Sequence, residues 1–118
     1  MVRTIWVTWG FVGFHSYPSA PPVVGYLSHM HRHTFNIRVE LDVAHEIDRE
    51  LEFHMVRNKL MYAFFRQVND QDTGSCEAMC DLLSHIVQLE YPGRSHTITI
   101  DEDGECGSTL CVPILQEP

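Results

Sequence analysis

The sequence predicts one α+β domain whose elements follow the order ββααββ. Three observations lead to this fold class. Apolar and polar residues alternate in segments near both ends of the chain, as in strands with one buried face. Between residues 53 and 90, apolar residues recur every three to five positions, as on amphipathic helices. The chain has 118 residues, 44% of them hydrophobic, which is enough for one core and leaves no room for a second domain. Residues 1–118 are therefore expected to form a single domain.

The first 43 residues predict two strands. Residues 4–14 are rich in aromatic and β-branched types and predict a strand that ends just before His15. Residues 16–25 contain three prolines and predict a loop. Residues 29–43 alternate throughout and predict a long antiparallel strand with one buried face. The alternation at residues 50–53 predicts a short extension of the sheet after a bend near His45.

The second half of the chain predicts two helices and two strands. An apolar stripe predicts a helix over 53–68, and a second stripe predicts a helix over 76–90 with Ser75 as its N-cap. Residues 96–102 alternate again and end at an Asp-Gly turn signal. A last strand is predicted over 109–115.

Composition excludes several function classes. Eight Lys and Arg against sixteen Asp and Glu give a formal charge of −8, which repels a phosphate backbone, so no nucleic-acid partner is expected. No apolar run is long enough for a membrane helix, and the N-terminus lacks the features of a signal peptide. We therefore expect a soluble cytoplasmic protein without a membrane partner. Its four cysteines are expected to be reduced, since nothing indicates export.

Histidine is the unusual residue in this composition, with eight copies, three of them between positions 29 and 33. His31 and His33 are two apart on a strand, so their imidazoles project from the same face. That face also carries apolar residues, where uncompensated imidazoles are costly. Zinc binds imidazole nitrogen, and catalytic zinc sites commonly have three protein ligands. The expected set is His15, His31 and His33, with His29 as an alternative to His15 because it has the same parity.

Glu102 lies on the apolar parity of its strand, beside Ile98 and Ile100. A carboxylate on a buried face needs a partner, such as an amide donor or a cation. Glu102 is therefore expected either to anchor a ligand or to form a salt bridge.

Five short motifs, in the right order, resemble one family: the 6-pyruvoyl-tetrahydropterin and 6-carboxytetrahydropterin synthases of the tunnelling fold. Residues 11–15 (FVGFH) resemble the motif that carries the family's first zinc ligand. Residues 31–35 (HRHTF) are similar to the motif that supplies the other two, with Arg32 in place of the usual glycine. The remaining three motifs lie at 52–53 (EF), 75–77 (SCE) and 98–102 (ITIDE).

The resemblance implies a four-stranded antiparallel sheet with two helices packed on one face, which oligomerises into a barrel, typically as a homohexamer. It implies a zinc-dependent lyase acting on dihydroneopterin triphosphate or a related pterin. Zn²⁺ is bound by the three histidines, Glu102 holds the 2-amino-pyrimidinone edge of the pterin, and Ser75 and Glu77 help to line the pocket.

Two parts of the family's proton-transfer machinery are missing. The catalytic cysteine, four residues before the first histidine of the pair, is replaced by Leu27. The segment between the helices lacks the family's Asp-His dyad. A general base must reach the proton that it removes, and the remaining candidates are Asp70, Asp72, His29 and a hydroxide on the metal. The alternative is therefore a degenerate member that binds a pterin, a purine or zinc without the family's chemistry. A structural metal site in an unrelated α+β domain is a third possibility, although it leaves Glu102 unexplained.

Overall fold

The computed structural model describes residues 1–114. It is an α+β fold with a four-stranded antiparallel sheet, as the sequence predicts. The elements are β1 (Arg3–His15), a 3-10 segment (Pro22–Ser28), β2 (His31–Val43), α1 (Phe53–Gln67), α2 (Cys76–Glu90), β3 (His96–Glu102) and β4 (Cys106–Val112).

The strands lie side by side in sequence order, β1-β2-β3-β4, and each pairs with the next in antiparallel register. Both helices fall in the connection between β2 and β3. Helix α1 contacts β1, whereas α2 contacts β3 and β4. The core lies between this helical layer and one face of the sheet, as the alternating burial along each strand shows. Its largest fully buried side chains include Phe35, Phe64, Ile37, Leu41 and Leu60.

Local capping explains where the helices begin. Ser75 accepts a hydrogen bond from the Ala78 amide at 3.0 Å, which confirms the predicted N-cap of α2. Glu52 accepts one from the Met55 amide at 2.7 Å and caps α1. That cap also explains why the predicted strand extension at 50–53 is wrong, because Phe53 is the first residue of α1 instead.

Other boundaries also differ from the prediction, and β1 includes His15 as its last residue. The second strand begins at His31 rather than His29, since the 3-10 segment occupies the end of the proline-rich connection. The prediction of a loop over 16–25 is therefore wrong for its last residues, which belong to the 3-10 segment. Pro22 provides the helical φ at the start of that segment. The last strand is Cys106–Val112, three residues earlier than predicted, because a tight turn after Glu102 returns the chain at once. Leu115, the predicted end of that strand, lies outside the described residues.

Within residues 1–114, no helix is both long and apolar enough to cross a bilayer.

Candidate metal centre

The three predicted histidines meet at one end of the sheet. His15 is the last residue of β1, and it pairs directly with His31, the first residue of β2. His33 lies two residues further along β2, on the same face. One nitrogen from each ring lies within 4.8 Å of the other two, so this group could hold a metal ion.

Each of the three rings uses Nδ1 for a bond to the protein. Nδ1 of His15 lies 2.8 Å from the Gly74 carbonyl, and Nδ1 of His31 lies 2.8 Å from the His29 carbonyl. Nδ1 of His33 lies 2.7 Å from Oδ2 of Asp103. A carbonyl can only accept, so the first two rings donate through Nδ1. Their neutral forms then carry the lone pair on Nε2, which is the tautomer that a metal needs.

The Nε2 atom of His33 is a direct sign that a ligand belongs here. It is buried and has no hydrogen-bond partner in the described structure. An unsatisfied buried nitrogen is costly, whereas coordination of a cation satisfies it. The donor set of three imidazoles and its outer-shell acceptors therefore fit a divalent metal.

Glu102 lies beside two of these histidines, His15 and His33. Its partner across the β2–β3 ladder is Phe35, which places the carboxylate diagonally from His33. Oε1 lies 3.2 Å from Nε2 of His15, and Oε2 lies 3.5 Å from Nε2 of His33. The Glu102 carboxylate thus faces the Nε2 atoms of two imidazoles of the candidate centre.

Asp103 positions His33 and was not predicted from the sequence. Its Oδ1 accepts the Thr34 amide at 2.8 Å while Oδ2 accepts the His33 ring. The hydrogen bond from His33, followed by that from Thr34, holds the pKa of the Asp103 carboxyl below its usual value. A carboxylate that orients a ligating imidazole is a common companion of zinc sites.

A cleft of about 540 Å³ opens beside the histidines. Residues from the β1–β2 connection, the start of α2 and the β3–β4 turn line it: His15, Ser16, Tyr17, Pro18, Leu27, His31, Ser75, Cys76, Glu77, Glu102, Cys106 and Gly107. The predicted pocket residues Ser75 and Glu77 thus lie on its wall. Its volume falls in the range of small-molecule sites.

Other predicted site residues lie elsewhere. Asp70 and Asp72 are exposed in the loop between the helices, and neither lines this cleft. The loop contacts β1 through backbone bonds, with the Phe14 amide donating to the Asp70 carbonyl at 2.8 Å. His29 is exposed and precedes β2, and it reaches the site only through its carbonyl. His15, rather than His29, is therefore the third member of the group.

Leu27 lies on the cleft wall, at the position where the resembling family has a cysteine. Two other thiols, Cys76 and Cys106, line the same cleft. Burial, followed by the charge of Glu102, raises the pKa of Cys76 to about 12. Desolvation and the charge of Glu102 also raise the pKa of Cys106. Both shifts disfavour the thiolate form.

Disulfides are absent from the described residues, where all four cysteines are free, as expected. Cys76 and Cys80 are buried on α2, whereas Cys106 and Cys111 are exposed on β4.

The fold and the site together define an α+β domain with a candidate three-histidine metal centre. Comparisons with known proteins add no relative: no family model matches the chain, and no curated protein matches its sequence significantly.

Proposed function

We propose that this protein is a zinc-dependent lyase of the 6-pyruvoyl- or 6-carboxy-tetrahydropterin synthase type, acting on dihydroneopterin triphosphate or a related pterin. The observation that carries the proposal is the convergence of His15, His31 and His33 beside a cleft, with Nδ1 of each ring engaged outside the group. Three imidazoles with one open position form the usual ligand set of a catalytic zinc site. The ββααββ order supports the same family.

Zinc bound there supplies Lewis-acid polarisation of substrate oxygens, which makes neighbouring C–H protons more acidic. The chain's own residues bind and orient the substrate. Glu102, which lines the cleft, offers two acceptor oxygens to the donor edge of a pterin ring. Ser75 and Glu77 offer polar contacts from the first turn of α2.

The second candidate is a degenerate member that binds a pterin or a purine, or zinc alone, without turnover. Three observations favour it. The cleft presents the apolar side chain of Leu27 where the family has a thiol, and Asp70 and Asp72 do not line the cleft. The remaining thiols, Cys76 and Cys106, have raised pKa values, which disfavours the thiolate that a base requires.

A homo-oligomer, typically a hexamer, completes the proposal. In the described sheet, β1 and β4 are the outer strands, and each pairs with one neighbour only. Strand β1 is thirteen residues long and leaves an unusually extended edge. Pairing of such edges between subunits would close a barrel and remove them.

The test combines metal analysis with turnover. The purified protein is expected to hold about one zinc per chain, and His31→Ala is expected to lose it. Incubation with dihydroneopterin triphosphate, followed by liquid chromatography and mass spectrometry, is expected to give product. At saturating zinc, Glu102→Ala is expected to retain the metal and lose pterin binding. Zinc without product in the wild type would favour the degenerate member, and no bound metal would refute both candidates.

A further inference from the structure

Glu102 lies against one nitrogen each of His15 and His33. The inference drawn from this placement rests on the proposed metal site and goes beyond it. A zinc ion with donors at roughly 2.0 to 2.1 Å in a tetrahedron has donor atoms about 3.3 Å apart along each edge. The two contacts of Glu102, at 3.2 Å to Nε2 of His15 and 3.5 Å to Nε2 of His33, lie on either side of that length.

The chemistry of these contacts also points to a cation between the groups. Nε2 of a ring that donates through Nδ1 carries a lone pair, and a carboxylate carries only acceptors. Lone pairs and carboxylate oxygens repel one another unless a positive charge lies among them. A proton on Nε2 of His33 would have Glu102 as its natural acceptor, yet this nitrogen has no hydrogen bond and is buried. A metal ion shared by Glu102 with His15 and His33 would satisfy both nitrogens and the carboxylate.

We propose that Glu102 is the fourth metal ligand in the substrate-free protein, so that the centre is His₃Glu rather than His₃ with an open position. The carboxylate remains a quarter exposed, on the side facing the cleft. As a fourth ligand it would fill the position that three histidines leave open. A substrate must therefore displace Glu102 from the metal, and the freed carboxylate is then available to hold the substrate's ring.

The experiment measures metal binding directly. Zn²⁺ affinity is determined by competition with a chromophoric chelator, and the visible spectrum of the Co²⁺-loaded protein reports the ligand set. Glu102→Gln keeps the shape of the side chain and removes its charge. It is expected to weaken zinc binding at least about tenfold, the lower bound for loss of even an outer-shell partner, and to shift the Co²⁺ bands.

Glu105→Gln is the matched control, because it removes an exposed carboxylate from the same turn at a residue outside the cleft lining. It is expected to leave both affinity and spectrum unchanged. Circular dichroism and thermal melts of the metal-free proteins establish that each variant folds.

The outcomes separate this inference from the proposed function. Wild-type protein that binds zinc, with Glu102→Gln showing the same affinity and the same Co²⁺ bands, would overturn the fourth ligand and leave the three-histidine site intact. A weaker affinity with unchanged bands would also overturn it, since the charge would then act only through space. Wild-type protein that takes up neither metal would refute the proposed function as well.

Discussion

The His33 ring donates from Nδ1 to Oδ2 of Asp103 at 2.7 Å, across seventy positions of sequence. Asp103 has a φ of 58°, in the left-handed region, and its amide donates to the Thr34 carbonyl at 2.8 Å. The tight turn after β3 therefore places the Asp103 carboxylate against a residue of β2. Because that residue, His33, is a candidate metal ligand, this contact leads to the first prediction.

Asp103→Asn is expected to weaken zinc binding by about 10- to 100-fold, because the amide loses the charge that orients and polarises the His33 ring. Asparagine tolerates the left-handed backbone, so the turn itself is preserved. Chelator competition measures the affinity. Asp101→Asn serves as a control, because that carboxylate bonds to Asn36 and the Gly104 amide rather than to a ligand. Equal affinity of Asp103→Asn and the wild type would contradict the positioning role.

Gly13 supplies the second prediction. It lies opposite His33 in the β1–β2 ladder, and an added Cβ would come within 2.8 Å of Cγ2 of Thr73 and about 3.0 Å of the Phe11 ring. Gly13→Ala is therefore expected to destabilise the fold by about 1–3 kcal/mol and to displace the segment whose Gly74 carbonyl holds His15. Urea unfolding and zinc affinity measure the two effects. Gly25→Ala is the control, since its Cβ would meet nothing within 4 Å.

The third prediction concerns acid stability. Arg94 binds Glu50 through two hydrogen bonds, one of them 2.9 Å long, and also bonds the Asp42 carbonyl. The hydrogen bond from Arg94, followed by that from the Ala44 amide, lowers the pKa of Glu50 from 4.5 to about 2. A lowered folded-state pKa stabilises the fold above the unfolded value, and this stabilisation is lost as pH falls from about 4.5 towards 2.

Glu50→Gln is therefore expected to be less stable than the wild type at neutral pH, with the difference shrinking below pH 4.5. Chemical unfolding at several pH values measures the free energy of unfolding of both proteins. A difference that stays constant across that range would show that the Glu50 carboxylate does not contribute through its charge.

The fourth prediction concerns the core. Leu60 on α1 is fully buried, whereas Leu89 on α2 is 66% exposed. Leu60→Ala is expected to reduce the free energy of unfolding by about 2–5 kcal/mol, while Leu89→Ala is expected to change it by less than about 0.5 kcal/mol. Urea denaturation distinguishes them, and similar losses at both positions would contradict the helix orientation described above.

The sequence predicted the elements where the local signal was strong. Helix α2 follows the predicted bounds because Ser75 caps it and its apolar stripe is regular. Strand β3 also has the predicted bounds. The starts of β2 and β4 were displaced, since those boundaries depend on a 3-10 segment and a tight turn whose hydrogen bonds span different segments.

The site was predictable in part for a similar reason. Parity on one strand placed His31 and His33 together, and His15 followed from the resembling motif. Asp103 could not be found this way, because its contact with His33 depends on the register between β2 and β3, which no local pattern specifies. In the sequence, Asp103 is visible only as the first residue of the Asp-Gly turn signal. The hydrogen bonds that the carbonyls of Gly74 and His29 accept could not be predicted either, since every residue has a carbonyl.

His15 pairs with His31 across β1 and β2, so the strands themselves hold these imidazoles in place. All three imidazoles belong to a ladder of thirteen paired positions, whereas part of the cleft wall comes from the connection between those two strands. The sequence of that connection can therefore change without altering the strand pairing that holds the histidines together. The shape of the cleft and the spacing of the imidazoles depend in this way on separate segments.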